Sequence, residues 1–186
     1  SVRRGPVVYG RSRPLPGGPG CAKLGSDARS TGANAAAIVA AIHIHSREET
    51  DMDRVPIAIV GCGGMGGRHL RGVKELYDSG LANIELVAAC DLKRDNAEHL
   101  ADNAEALLGV RPQVFTDMEA MVHALPDLQA VDITTDSGSH HVVTSAALDL
   151  GLHVQCEKPL ASTIRGCNLI IEKHRHTDRV LSVAEQ

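Results

Sequence analysis

From Arg54 onward, apolar residues fall into short runs separated by longer helix-like stretches. The runs are Ile57-Ala-Ile-Val60, Ile84-Glu-Leu-Val-Ala-Ala-Cys90, Gln113-Val-Phe115, Ala130-Val-Asp-Ile-Thr134, His153-Val-Gln-Cys156 and Val180-Leu-Ser-Val183. Their length and β-branched content predict strands. The intervening stretches predict helices over about 64–80, 93–109, 117–125, 138–150 and 162–176. Punctuation agrees with these limits. Gly80, Gly109 and Gly151 stand where helices end. Asp117 or Thr116 is placed to cap the third helix, and Ser162 or Thr163 the last. Strictly alternating strands and helices predict an α/β fold: a doubly wound, mostly parallel sheet of six strands.

Upstream the pattern is lost. Residues 1–32 are dominated by Arg, Gly, Pro and Ser without apolar periodicity, which predicts disorder. Residues 33–45 predict at most a short Ala-rich helix, marginal on its own. The character of the chain changes near Met52, which reads as a natural start. The expected organisation is a disordered N-terminal extension or non-native leader over 1–51, then one domain over 52–186.

Composition narrows the function. There are two Tyr, one Phe and no Trp, so the core must be built from Val, Ile, Leu and Ala. That suits a sheet buried on both faces and excludes aromatic platforms for single-stranded nucleic acid. The net charge of −4 divides into +4 over residues 1–50 and −8 over the remainder. An acidic body is a poor partner for nucleic acid, and an anionic ligand would have to be held by local backbone N–H groups. The five cysteines, Cys21, Cys62, Cys90, Cys156 and Cys167, form no CxxC pair and read as reduced, mostly buried thiols. No apolar run approaches the roughly 20 residues of a membrane span. A cytoplasmic protein without a membrane partner is expected.

The run Ile57–Val60 leads directly into Gly61-Cys-Gly-Gly-Met-Gly66, a G-x-G-x-x-G pattern at Gly61, Gly63 and Gly66. The first glycine allows a tight turn, the second a close backbone approach to a pyrophosphate, and the third close packing of helix on strand. The following helix start would offer free N–H groups and the positive end of its dipole. Because the pattern follows a strand and opens a helix, it predicts a Rossmann-type dinucleotide site, with Gly61, Cys62, Gly63, Gly64, Met65 and Gly66 around the phosphates. Asp91 ends the second strand, where an acid accepts from ribose hydroxyls and repels a 2′-phosphate, favouring NAD. It could equally cap the following helix. Lys93 and Arg94 could offset the repulsion, so NAD or NADP is expected.

After the fifth strand stands Cys156-Glu-Lys-Pro159. Together with the glycine loop, Cys90-Asp91, Asp132-Ile-Thr-Thr-Asp-Ser-Gly-Ser-His140 and Gly151-Leu-His-Val-Gln-Cys-Glu-Lys-Pro-Leu160, it resembles the Gfo/Idh/MocA oxidoreductases over about residues 55–186. The resemblance implies an NAD(P)-dependent dehydrogenase transferring hydride at a carbinol of a sugar, inositol or related polyol. It implies that Lys158 is catalytic, contacting the reacting hydroxyl and assisting proton transfer. A lysine suits that task because desolvation favours the neutral amine. Glu157 would lie beside the nicotinamide ribose, and Pro159 would fix the turn that aims Lys158. Thr134 and Thr135 would lie along the cofactor, and His140 in the loop-to-helix turn. A structural hydrogen bond is the plain alternative for His140, and a solvated loop position for Lys158.

Two departures matter. Asp136 stands where the family commonly has Pro. The substrate-holding second domain of the family, through which its members often assemble, has no counterpart before Gln186. Residues 52–186 alone are therefore expected to hold cofactor without turning over substrate. The alternative is a non-catalytic nucleotide-binding module or truncated subunit. His174 and His176, two apart on a helix, read as solvated, and His43 and His45 have no third ligand nearby. No metal site is expected.

Overall fold

The computed structural model describes residues 54–81 and 83–185. The expectations for residues 1–51, including the short helix and the leader, lie outside the described residues. Six strands, β1 (Val55–Val60), β2 (Ile84–Cys90), β3 (Gln113–Phe115), β4 (Ala130–Ile133), β5 (His153–Glu157) and β6 (Leu181–Ala184), alternate with five helices. These are α1 (Gly64–Ser79), α2 (Arg94–Leu108), α3 (Met118–Ala124), α4 (His140–Asp149) and α5 (Ile164–Arg175). All strand pairs are parallel, in the order β3-β2-β1-β4-β5-β6.

Side chains alternate across each strand, so the sheet carries a core on each face. Ala58 and Val60 face one core with Val131, Ile133, Val154, Cys156, Met121, Leu148 and Ile170. Ile59 faces the other with Leu70, Leu86, Ala89, Ala97, Leu100 and Ala104. Aliphatic side chains fill both, as the scarcity of aromatics requires.

Helix ends follow local chemistry. Gly80, Gly109 and Gly151 all carry left-handed backbone, with φ of 68°, 78° and 78°. Asp117 caps α3 by accepting from the Ala120 N–H at 2.8 Å, and Thr163 caps α5 by accepting from the Gly166 N–H at 3.0 Å. Ser162 does not share that role. Its hydroxyl donates to the Ser137 carbonyl at 2.9 Å, holding the loop after β5 against the loop after β4.

Successive crossovers run outward from β1 in one half and from β4 in the other. The loops after β1 and β4 therefore diverge and leave a crevice at the carboxyl ends of these strands, the position where such sheets receive ligands. On the α1 side of the sheet, β4 to β6 border an open trough whose lining includes Asp132, His153, Gln155 and Ser182.

Candidate functional site

The glycine loop starts where β1 ends. Gly61 has φ of +99°, which only glycine adopts without strain, and a Cβ there would lie 2.5 Å from the Thr135 nitrogen. The turn is thus wedged against the chain leaving β4. A Cβ on Gly66 would meet the Gly61 carbonyl oxygen at 2.4 Å, so the third glycine lets α1 close onto the loop. Gly63 and Gly64 differ: nothing lies within 4 Å of a Cβ at either. A side chain at either would face open space and meet no other part of the fold.

That space opens onto the start of α1. The first turn of a helix has no intrahelical acceptors for its N–H groups, and no side chain caps this one. Donors aligned with the positive end of the helix, beside two open glycines, fit the pyrophosphate of a dinucleotide. NAD or NADP is thus a group these residues could hold.

Asp91 follows β2 and steadies the loop. Its Oδ2 accepts from the Cys62 N–H at 2.8 Å. Its Oδ1 accepts from the Lys93 N–H at 2.8 Å and from the Asn96 side chain at 3.3 Å. The N-cap position of α2 is Lys93, so Asp91 serves the helix entry from two residues further out. Lys93 and Arg94 project outward, and Arg94 pairs with Glu98 at 3.2 Å. Cys62 is buried, and burial, followed by the charge of Asp91, pushes its thiol up to about 12. It contributes its backbone and not a thiolate.

Thr134 closes the other wall. Its N–H donates to the Val60 carbonyl at 2.8 Å and its hydroxyl to the Gly61 carbonyl at 2.6 Å. Thr135, half-buried, meets the Ser139 hydroxyl at 3.0 Å. Asp136 accepts from the Gly138 N–H at 3.0 Å and the Ser139 N–H at 3.2 Å, building the turn into α4. An acid thus makes here the turn for which the resemblance implies proline.

His140 is 1% exposed. Its Nδ1 lies 2.7 Å from the Pro159 carbonyl and its Nε2 3.1 Å from the Thr135 carbonyl. It braces the loop after β4 against the loop after β5. In that second loop the Lys158–Pro159 peptide is cis. Glu157 is buried and accepts from the Lys158 N–H at 2.8 Å. The Lys158 side chain is exposed and, among the described residues, makes no ion pair. The structure thus links Asp91, Cys62, Gly61, Thr134, Thr135, His140, Pro159, Lys158 and Glu157 through successive contacts around one crevice. The Lys93 and Arg94 side chains are exposed and take no part in these contacts.

One member of this circuit escaped the reading of the sequence. His69, on α1, has Nδ1 2.6 Å from Asp132 and Nε2 3.1 Å from Glu157. Hydrogen bonding to Asp132, then to Glu157, outweighs burial and raises its pKa to about 8. Burial works against an ionised Glu157, yet bonds from His69 and the Lys158 N–H hold its carboxyl below the usual range. The overlooked signal was Asp132, an acid inside an apolar strand, which needs a buried partner. His174 also differs from its expectation. It is half-buried and contacts the Arg179 carbonyl at 2.8 Å, whereas His176 is exposed beside Glu172.

Comparison with known proteins supplies the lineage. Residues 55–185 match the family model described as an oxidoreductase family with an NAD-binding Rossmann fold. An inositol 2-dehydrogenase of Klebsiella pneumoniae is 33% identical over 125 residues, covering 67% of this chain and 34% of that protein. One from Serratia proteamaculans is 34% identical over 128 residues, covering 68% and 35%. The chain therefore spans about a third of the length of the curated relatives it matches. A myo-inositol dehydrogenase from Lactobacillus casei, solved with NAD(H) and myo-inositol, superposes with a TM-score of 0.61 at 26% identity, covering 70% of this chain and 36% of that one. By the glycine loop, the sheet order and the match over 55–185, the chain belongs to the Gfo/Idh/MocA oxidoreductases and carries their NAD-binding Rossmann fold.

Proposed function

We propose that residues 54–185 are the cofactor-holding part of an NAD-dependent dehydrogenase that oxidises a carbinol of an inositol or a related sugar or polyol. The observation that carries this reading is the loop itself. Gly61 and Gly66 are required by the fold, while Gly63 and Gly64 are open toward uncapped helix N–H groups. The inositol 2-dehydrogenase relatives support the substrate class.

NAD bound there would supply the hydride acceptor. The chain does the rest through its own groups. N–H groups of Gly63, Gly64, Met65 and Gly66 bind phosphate oxygens. Asp91, with three of its acceptor positions engaged by protein, keeps capacity for a ribose hydroxyl and presents negative charge to any 2′-phosphate. That charge favours NAD over NADP, with the Lys93 and Arg94 side chains exposed nearby. Lys158 takes up the proton of the substrate hydroxyl at its Nζ, and Glu157 and Pro159 fix the loop that presents it. Apart from Lys158, we assign substrate recognition to the part of such a dehydrogenase beyond 54–185, since the relatives are about three times as long as the match. The reading extends to a cytoplasmic enzyme that assembles through that additional part.

Titration of the chain with NADH, followed by fluorescence, tests the cofactor half. Saturable binding is expected, with NADH about tenfold or more tighter than NADPH. No saturation at millimolar NADH overturns the reading. In the complete dehydrogenase, Lys158→Ala is expected to lower NAD-dependent polyol oxidation about a hundredfold while cofactor binding persists. A loss below tenfold removes Lys158 from the proton transfer.

A further inference from the structure

His69 belongs to α1, away from the loop that carries Lys158, yet its ring spans two elements of the sheet. Nδ1 faces Asp132 Oδ2 at 2.6 Å, in the middle of β4, and Nε2 faces Glu157 Oε1 at 3.1 Å, at the end of β5. The second oxygen of Glu157 accepts from the Lys158 N–H at 2.8 Å, and the second oxygen of Asp132 from the Gln155 side chain at 3.3 Å. Asp132 is 8% exposed and Glu157 4%. An ionised carboxylate only accepts, so a ring engaged by two of them needs both N–H groups and is a cation. Buried carboxylates that lost this partner would be left uncompensated.

We propose that His69 is a positioning residue: by bridging Asp132 and Glu157 it fixes the carboxylate that holds the Lys158 backbone, and so sets where the lysine stands at the crevice. The proposal rests on the role given above to Lys158. The ring contacts Asp132 from β4 and Glu157 from β5; Gln155 and Lys158 of β5 and its loop, Arg68 of α1 and His153 line the same trough. Of the two imidazole contacts, only the one to Glu157 reaches Lys158. A ring serving solely to clamp α1 to β4 would use the Asp132 contact alone.

Two amides separate these roles, because Asn carries its donor where Nδ1 stands and Gln where Nε2 stands. The readout is hydrogen exchange of the Lys158 amide in the ¹⁵N-labelled chain, compared with core amides of β1. His69→Asn keeps the bond toward Asp132 and is expected to speed Lys158 exchange about tenfold relative to the core. His69→Gln keeps the bond toward Glu157 and is expected to hold the rate within about threefold. No change in His69→Asn, or equal changes in both, overturns the proposal. Should neither variant fold, the unsubstituted chain still decides. Between about pH 6 and about pH 10 the Lys158 amide shift should follow the titration of the His69 ring. Independent titration overturns the coupling. NADH titration of the same sample separates the two readings: absent binding removes the cofactor assignment, whereas a Lys158 amide indifferent to His69 removes only the positioning role.

Discussion

At the scale of residues, four glycines in one loop do two different things. Gly61 and Gly66 sit where backbone blocks a side chain, and Gly63 and Gly64 where nothing does. Their alanine variants should therefore divide. Gly66→Ala forces its Cβ onto the Gly61 carbonyl and is expected to destabilise the domain by about 1–3 kcal/mol, read from urea unfolding. Gly63→Ala is expected to change stability by less than about 1 kcal/mol yet weaken NADH binding about tenfold or more, since its Cβ would stand in the space through which the pyrophosphate approaches the backbone. Equal effects in both assays would contradict the division. The thiols follow burial in the same way. Cys62 and Cys90 are held up to about 12 and about 11 by desolvation, and Cys156 is raised by the same cause. In the native chain none of the three should react with a thiol reagent at neutral pH, while half-buried Cys167 should react slowly. The glycine spacing was readable because it follows from one local geometry. The division of labour was not, because it depends on what β4 brings alongside.

At the scale of elements, every strand and helix from β1 to β6 was foreseeable from periodicity, to within two residues at its ends. Apolar runs and helix-ending glycines are local signals, and here nothing tertiary overrides them. Pairing between elements is not local, and there the reading stopped. Asp132 announces a buried charge, but nothing in its neighbourhood names His69, 63 residues earlier. The same holds for His140, whose two carbonyl partners come from different loops. Because the His69 bridge ties α1 to β4 and β5, it should mark the pH dependence of stability. Its pKa stands at about 8 when folded against an ordinary 6.5. The added stability is fully present below about 6.5 and is lost as pH rises through about 8. Urea midpoints should fall across that interval by more than those of His69→Gln, whose amide does not titrate. A flat profile for the unsubstituted chain would remove the charged bridge.

At the scale of the whole molecule, the order β3-β2-β1-β4-β5-β6 decides where chemistry is possible. It places the ends of β1 and β4 side by side at the reversal of strand order, with Asp91 on one flank and Lys158 on the other. Six parallel strands were expected from the alternation; their order was not legible, because right-handed crossovers admit more than one doubly wound order. Among the described residues no helix is long and apolar enough to cross a membrane. The central claim is that this reversal point holds a dinucleotide, with its phosphates on the glycine loop and its reactive end toward Lys158. Backbone amide shifts of the ¹⁵N-labelled chain, recorded as NADH is added, test it most directly. The account predicts saturable changes gathered at Gly61 to Gly66, Asp91, Thr134, Thr135 and Lys158, with α3 and the far ends of the strands unmoved. Saturable changes gathered elsewhere, or none at millimolar NADH, would contradict it.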